Sequence, residues 1–458
     1  MTVRPVASLL FAMLQVGPDL PPIRLDYLGA RGFTGGVMLA HMFFAQLFIG
    51  FAIGSPLLKA LGDRWENERM RRLSYSLDRF NVLTFSIGAT LAGMFLVLLM
   101  GFYPRLTTAI FTHFFWYFPV LGFGFMFLTL YSLYIYHYRT QRRSIWAGIG
   151  MAVFIVAWES ILTGIDSFMT TGGGSGETAL GNGKATSNPA AALDSLLNPM
   201  FVPLDLHRTF ANLSWPAFAL ATWAAFSYAK SKSAEDKAFY DWAGSMGVLW
   251  GTVFLLFQPF AGFLVAFSMK AAYGSQGPGA PGGPYERLTG SGAGHGSFTS
   301  DLLFVNLALV VGLFVLANAA MYLGAYRHPN RAGRVPIRIF GLVAAVAGLY
   351  SVSPLAEFPF LYMRYIMMLV MVLATLGTLI YYTRARGAFR YGSPGRPYRA
   401  VLLALGTLAA VLSLGMGFMK SNSRVPYTIY GQPEYRISNE RPIGQDQLQQ
   451  VPKPQEKR

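Results

Sequence analysis

The sequence predicts an all-α integral membrane protein with about ten transmembrane helices in bundles and both termini outside. Three observations lead to this class. Of the 458 residues, 53% are hydrophobic and only 13% are charged, which is typical of membrane proteins rather than soluble ones. Apolar runs long enough to cross a bilayer recur along the chain. Basic residues concentrate in alternate connectors between these runs, which indicates how the helices are oriented.

The apolar segments that reach spanning length number ten. They lie at 34–60, 80–102, 106–135, 146–168, 205–229, 243–268, 301–325, 335–353, 360–382 and 398–419. The third segment is long and rich in aromatic residues, which indicates a tilted helix or one that extends past the bilayer. The eighth segment is short.

The connectors after the odd-numbered segments are basic, and those after the even-numbered segments hold few cations. The basic ones contain Lys59, Arg64, Arg69, Arg71, Arg72 and Arg79; Arg139, Arg142 and Arg143; Lys230, Lys232 and Lys237; Arg327, Arg331, Arg334 and Arg338; and Arg384, Arg386, Arg390 and Arg396. Loops rich in Lys and Arg stay on the cytoplasmic side. We therefore expect a multi-pass protein of a prokaryotic inner membrane, with its N- and C-termini on the periplasmic side.

The same pattern divides the chain into five parts. Residues 1–33 are expected to form an outer interfacial segment, since they show no convincing signal-peptide cleavage site. A six-helix portion covers 34–268, and four further transmembrane helices cover 301–419. Between them lies a glycine-rich outer loop, 269–300, and an outer polar tail covers 420–458.

Two features of the composition exclude whole classes of function. The chain contains no cysteine, so disulfides, thiolate zinc sites, iron–sulfur clusters and covalently attached c-type haem are excluded. The formal charge is +16, but the cations lie in connectors on one side of a membrane. Membrane topology therefore accounts for the charge, and we expect no nucleic-acid partner.

Several metal-ligating side chains are expected near the outer side of the membrane. His41, His113 and His207 lie near the outer ends of segments one, three and five, and Met367 lies near the outer end of segment nine. Imidazole and thioether are common axial ligands of protein haems. Copper uses the same donors, but apolar, aromatic-rich helices favour a porphyrin.

Each of these residues also has a purely structural interpretation. His113 lies in an aromatic run and can belong to the interfacial aromatic belt, and His207 can pair with Asp205 at a helix start. Methionines in membrane helices such as that of Met367 pack more often than they ligate.

Two carboxylates fall within segment four. Glu159 and Asp166 are two helical turns apart, so they share one face. A glutamate buried in a membrane can take up and release protons, which makes Glu159 a candidate proton relay. A hydrogen bond to a neighbouring helix is the structural alternative, and Asp166 is expected at the interface.

Together these residues resemble subunit I of cytochrome bd quinol oxidase. His41, followed by two phenylalanines, is similar to the family's early histidine that ligates a high-spin haem. His207 resembles the later histidine of the low-spin haem. Met367, three residues after Arg364, is the nearest counterpart of that haem's second ligand, with Met363 as an alternative.

The end of the last segment carries a further point of likeness. Ser421-Asn422-Ser423-Arg424-Val425-Pro426-Tyr427 keeps the arginine, the proline and an aromatic residue of the family's motif there. The resemblance implies that Arg364 and Arg424 pair with haem propionates, since guanidinium groups suit carboxylates.

The chain also departs from the family's pattern. Phe123 and Tyr131 stand where the family has two glutamates in its third helix, and Ser421 stands where a glutamate ligates the second high-spin haem. The outer loop after segment six is short and glycine-rich, segments seven and eight look inserted, and the family's last helix is absent. These departures argue against the usual oxygen-reducing site.

The resemblance therefore implies a b-haem membrane electron-transfer subunit that exchanges electrons with quinol or quinone near the outer face. His207 and Met367 would ligate one haem, His41, with His113 as a further candidate, would ligate another, and Glu159 would relay protons. The number of haems is left open. Other membrane subunits are expected partners, and an external cytochrome is a candidate. The alternatives are a quinol:O2 terminal oxidase subunit and a non-redox transporter or scaffold subunit.

Overall fold

The computed structural model describes residues 29–172, 187–273, 284–289, 298–353, 355–356 and 362–440. Within these ranges the regular structure is helical, apart from one isolated antiparallel bridge between Tyr427 and Arg436. Eight helical stretches are long and apolar enough to cross a membrane, and Val335–Ser351 is a shorter apolar helix. The predicted all-α membrane class is confirmed.

The helices are numbered here in chain order. The first seven are α1 (Gly29–Arg64), α2 (Glu68–Phe102), α3 (Pro104–His113), α4 (Tyr117–His137), α5 (Arg143–Thr171), α6 (Pro189–Leu196) and α7 (Phe201–Lys230). The others are α8 (Ala234–Leu255), α9 (Gln258–Tyr273), α10 (Pro284–Thr289), α11 (Phe298–Gly324), α12 (Val335–Ser351), α13 (Met363–Ala385) and α14 (Arg396–Ser423).

The third predicted segment, 106–135, is two helices, so its prediction as one long helix was wrong. Helix α3 ends at His113, and α4 begins at Tyr117. Pro119 then occupies the first turn of α4. Proline lacks the N–H that a continuous helix would need there, but it is tolerated in a first turn.

The sixth predicted segment, 243–268, breaks for the same reason. Helix α8 ends at Leu255 and α9 begins at Gln258, with Pro259 as its second residue. Because Pro259 cannot donate to the carbonyl of Leu255, the helix stops and restarts. The bend lies beside α7, and Gln258 at the bend contacts that helix.

The helices form two groups that share α14. In the first group α1 packs on α2, α5 and α7, while α8 pairs with α7; in the second group α11, α12 and α13 pack together. Helix α14 packs against both α11 and α7. Two glycines allow close approach: a Cβ at Gly50 would overlap the Asn212 carbonyl, and one at Gly406 would overlap Thr222. The main apolar cluster runs through both groups.

The basic connectors gather at one end of the molecule, which we call the basic end. Lys59 on α1 donates to the carbonyl of Arg139 and to Ser144. Arg72 on α2 pairs with Asp236 at the start of α8. These contacts agree with the prediction that the basic connectors lie at the same end of the helices. Which side of the membrane this end faces stays a prediction.

The opposite end, which we call the tail end, carries the residues that follow α14. The backbone N–H of Tyr430 donates to the carbonyl of Met169 over 3.0 Å. Ile429 and Tyr435 are buried in an apolar cluster with residues of α2 to α6. The described part of the predicted polar tail thus docks on the helices. Most of the predicted interfacial segment 1–33 and glycine-rich loop 269–300, and the tail from 441 onward, lie outside the described residues.

Glu440 fastens this tail to the start of α3. Its carboxylate accepts hydrogen bonds from the backbone N–H groups of Arg105, over 3.1 Å, and Leu106, over 3.2 Å. Burial raises the pKa of Glu440 from its ordinary value of 4.5 to about 7, against the opposing effect of these N–H donors. The docked tail therefore holds a proton between pH 4.5 and 7 that the free tail has released.

This proton makes docking of the tail dependent on pH. Because the docked state binds more protons, its stability falls as the pH rises from about 4.5 through about 7. The protection factors of residues 424–440 in hydrogen exchange, which correct for the faster chemical exchange at higher pH, should be larger at about pH 5.5 than at about pH 8, because the docked Glu440 loses its proton near pH 7. Glu440→Gln should remove most of this dependence, and Glu434→Gln, at an exposed position, should keep it. Equal protection factors at both pH values in the unaltered protein would contradict the assignment.

Candidate functional site

The candidate site is a group of charged side chains at the tail end, between α5, α7 and α14. At its centre lies Arg208 of α7, whose guanidinium contacts two carboxylates of α5. Its Nε is 3.6 Å from Glu159 Oε1, and its Nη1 is 3.5 Å from Asp166 Oδ2. The two carboxylates are separated by two helical turns, so a single long side chain reaches both.

Glu159 is the more deeply buried of the two carboxylates, with 6% of its surface exposed. Besides Arg208, it accepts a hydrogen bond of 2.6 Å from Asn212 Nδ2. Asn212 lies one turn after Arg208 on α7, so both partners of Glu159 come from the same helix face. Both contacts use Oε1, so Asn212 and Arg208 engage the same carboxylate oxygen.

Asp166 is shared by three cations. Lys420 of α14 donates to its Oδ2, and Arg424, just beyond the end of α14, lies with Nη1 4.0 Å from its Oδ1. Arg208 provides the third contact. Within these contacts the cations Arg208, Lys420 and Arg424 exceed the carboxylates Glu159 and Asp166 by one. The group therefore favours a further anionic ligand.

Two neighbouring contacts hold the start of α7 in place. Ser160 of α5 donates to Asp205 Oδ2 over 2.9 Å, so the carboxylate of Asp205 turns towards α5. Gln258, at the bend between α8 and α9, donates through Nε2 to the backbone carbonyl of His207 over 3.1 Å. The proline-induced restart of α9 thus supplies a side chain that supports the helix turn carrying His207 and Arg208.

His41 has one ring nitrogen engaged by the protein. Its Nδ1 lies 2.8 Å from the carbonyl of Gly88 on α2. A carbonyl can only accept, so Nδ1 carries the proton and Nε2 keeps its lone pair. Histidines that ligate metals in proteins usually have this arrangement, because the second-shell hydrogen bond fixes both the tautomer and the ring. Arg208 is close enough to His41 to interact with it electrostatically.

The imidazole of His207 lies next to the charged group and against α9. A Cβ at Gly262 would sit 3.7 Å from its Cδ2 and Nε2, so glycine leaves room beside the ring. Arg208 and Lys420 both act on it electrostatically. Within the described residues neither ring nitrogen forms a hydrogen bond to the protein, which leaves the ring available to a ligand.

His113 lies elsewhere, at the end of α3. It is fully buried, its Nε2 is 2.8 Å from Ser195 Oγ, and its ring stacks on Phe168 at 5.4 Å between centroids. A metal bond at Nε2 would have to replace the hydrogen bond to Ser195. The contacts of His113 with Ser195 and Phe168 therefore link α3, α5 and α6.

Met367 and Arg364 belong to the second group of helices. Both are half-buried near the start of α13. Helix α13 packs mainly on α12, and the side chain of Met367 packs against the main apolar cluster. The structure therefore places the predicted partner of His207 on a helix that packs chiefly within the other group.

Three positions at which the cytochrome bd family has acidic residues are not acidic in this chain, and none of them is fully buried. Phe123 is 69% exposed on α4. Tyr131 is half-buried and stacks on Phe127. Ser421 is exposed on the last turn of α14. None of the three replaces a carboxylate with another group that ionises near neutral pH.

The donors around Arg208 fit a b-type haem in their chemistry. His41 offers Nε2 of a fixed tautomer, and His207 offers a ring without a protein hydrogen bond. Arg208, Lys420 and Arg424 supply the positive charge that propionate groups need, and guanidinium forks match carboxylates. Across the described ranges, no three His, Cys, Asp or Glu side chains are grouped as they would be around a bare metal ion.

Sequence reasoning missed Arg208, Asn212 and Lys420. Lys420 was expected in the polar tail, but α14 runs to Ser423 and carries it on a helix. A signal was present for Arg208, since it lies four residues before Asn212 on a helix that faces Glu159. The contact between Asp166 and Lys420 joins residues 254 positions apart, which no local pattern reveals.

Comparisons with known proteins find little. No family model matches the chain, and no curated protein matches it. Among solved structures, the chain is similar to one from the bd oxidase of Geobacillus thermodenitrificans, at 14% identity and a TM-score of 0.48, over 86% of this chain and 97% of that chain. A TM-score below 0.5 does not establish a shared fold.

Removing the carboxylate of Asp166 tests whether it holds the three cations together. Asp166→Asn leaves Lys420 and Arg208 without this partner, and losing one partner of a fully buried ion pair costs about 3–5 kcal/mol. Asp166 is 30% exposed in its side chain, so we expect a smaller loss, about 1–3 kcal/mol. Thermal unfolding in detergent measures it.

The matched control is Glu68→Gln, which removes an exposed partner of Arg71. Exposed ion pairs contribute about 0–1 kcal/mol, so this variant should unfold close to the unaltered protein. If both variants lose the same stability, Asp166 does not have the central electrostatic role described here.

Proposed function

We propose that the chain is a b-haem-containing electron-transfer subunit of a membrane, similar to subunit I of cytochrome bd, that exchanges electrons with quinol or quinone near its tail end. The observation that carries the proposal is the environment of His41. Its Nδ1–H is bonded to Gly88, its Nε2 is free of that bond, and Arg208 lies within electrostatic range. The bond at Nδ1 sets the tautomer that a metal-ligating histidine has, and the neighbouring cations suit the negative charge of haem propionates.

When bound, a haem of this type carries single electrons. His41 and His207 would each hold a haem iron through a ring nitrogen, and they lie on α1 and α7, which pack against each other. Arg424 would neutralise a propionate together with Lys420 and Arg208. Met367 and Arg364 are assigned to the low-spin haem by the sequence resemblance, and this pairing would require α13 to approach α7. His113 is the least favoured ligand because Ser195 occupies its Nε2.

Glu159 would exchange protons in step with electron transfer. Adding an electron to a site in a low-dielectric region favours uptake of a proton nearby. Glu159 is held by Asn212 and Arg208 through Oε1, so its position stays fixed while Oε2 gains or loses a proton. Arg208 would couple this carboxylate to the cations around Asp166.

The proposal does not include oxygen reduction. Reducing oxygen requires protons delivered to the reacting haem by groups able to ionise. Phe123 and Ser421, which replace acidic residues of the resembling family, cannot supply them, and Phe123 is directed away from the protein interior. The electrons would therefore pass to a partner, either another membrane subunit or an external cytochrome.

The ligand assignment is tested by difference spectroscopy of single variants. His207→Ala should remove one b-type component from the reduced-minus-oxidised spectrum of the purified protein, because a ligand of the haem iron is lost. Adding a short-chain quinol to the oxidised, unaltered protein should develop the same bands, and the variant should respond with a smaller change.

His328→Ala is the matched control, since His328 lies at the basic end and bonds to Asn330. Its spectrum should equal that of the unaltered protein. If His207→Ala also leaves the spectrum unchanged in a protein that does contain haem, His207 is not a ligand.

A further inference from the structure

A cavity of about 270 Å³ opens at the basic end, far from the charged group at the tail end. It lies between the turn that joins α11 to α12 and the connector that leads into α14. The residues that matter for its chemistry are Arg327, His328, Arg334, Arg390 and Tyr398. None of the residues that line it carries a carboxylate, so the cavity presents positive charge.

Arg327 forms the floor of the cavity and is already neutralised. It is 8% exposed, pairs with Asp241 of α8, and stacks over the ring of Tyr398 with 4.3 Å to the centroid. Its Nη2 also donates to Tyr382 over 3.1 Å. These contacts hold the side chain of Arg327 in place, because its partners Asp241, Tyr382 and Tyr398 lie on three different helices.

Arg334 and Arg390 supply the charge that is not neutralised. Arg390 is exposed, and within the described part of the chain its guanidinium has no ion-pair partner. Arg334 donates through Nη2 to the carbonyl of Pro329 over 3.2 Å, while its Nε is buried without a hydrogen-bond partner among the described residues. A buried N–H donor without a partner is costly, and an anion in the cavity would satisfy it.

The cavity borders an apolar face that lipid chains can cover. Helix α12 begins directly after Arg334, and Val335, Ile339 and Leu342 along it are exposed. Tyr326 at the rim is exposed as well, and Arg338 lies over its ring at 4.0 Å. Tyrosine and arginine at such a position are typical of the boundary between headgroups and acyl chains.

We propose that this cavity binds the phosphate of an anionic glycerophospholipid, with the acyl chains lying along the exposed face of α12. Basic pockets between transmembrane helices on the cytoplasmic side recognise such headgroups. The phosphate would accept from Arg334 Nε and from the guanidinium of Arg390. Free phosphate could bind the same cations, but only a lipid would also cover the adjacent apolar face of α12.

The first test uses the unaltered, delipidated protein and short-chain phospholipids. Dihexanoyl phosphatidylglycerol should raise the midpoint of thermal unfolding by an amount that grows with the logarithm of its concentration above the Kd, whereas dihexanoyl phosphatidylcholine, which has no net charge, should raise it much less. Equal shifts with both lipids would overturn the proposal. A shift with inorganic phosphate as large as that with phosphatidylglycerol would overturn the assignment to a lipid.

The second test compares variants of equal charge. Arg334→Gln and Arg390→Gln should each weaken the apparent affinity for phosphatidylglycerol about fivefold, since a cation near an anionic lipid contributes about 1 kcal/mol. Arg331→Gln changes the same charge in the same connector at an exposed position that does not line the cavity. Its affinity should equal that of the unaltered protein, and equal losses in all three variants would contradict a specific site.

Discussion

The contact of Arg208 with Glu159 and Asp166 is the interaction on which the tail end of the molecule depends. A charge in a low-dielectric region is costly unless a partner of opposite sign lies beside it. Glu159 on α5 has such a partner because α7 brings Arg208 to it, and Arg208 also contacts Asp166. Lys420 and Arg424 then fix the end of α14 against the same carboxylate. These contacts therefore fix α5, α7 and α14 relative to one another at the tail end.

The arrangement also explains how the site can respond to charge. Its cations exceed the contacting carboxylates by one, so an anionic group can bind without first breaking every existing pair. A change of charge near His41 or His207 would act on Arg208 and, through it, on both carboxylates, because electrostatic interactions are strong where water is excluded. In the proposed function, these contacts would link electron transfer to proton transfer.

The sequence predicted those parts of the structure that depend on local pattern. Apolar length located the helices, and the two-turn spacing of Glu159 and Asp166 placed them on one face, where Arg208 now contacts both. The breaks before α4 and α9 were missed because hydrophobicity continues through Pro119 and Pro259, although the backbone hydrogen bonding does not. Lys420 was missed because a lysine at a helix end is usually solvated. Its partner Asp166 is found only once α5 and α14 are seen to meet at the tail end.

The central claim is that the groups around Arg208 hold a haem, and the absorption spectrum of the purified, unaltered protein tests it most directly. The account predicts the Soret and α bands of b-type haem in the dithionite-reduced minus oxidised spectrum. These bands should be lost in part when His41 is replaced by alanine, because Nε2 of His41 is the nitrogen that the bond to Gly88 leaves to the metal. A purified, folded protein without b-type bands would contradict the account.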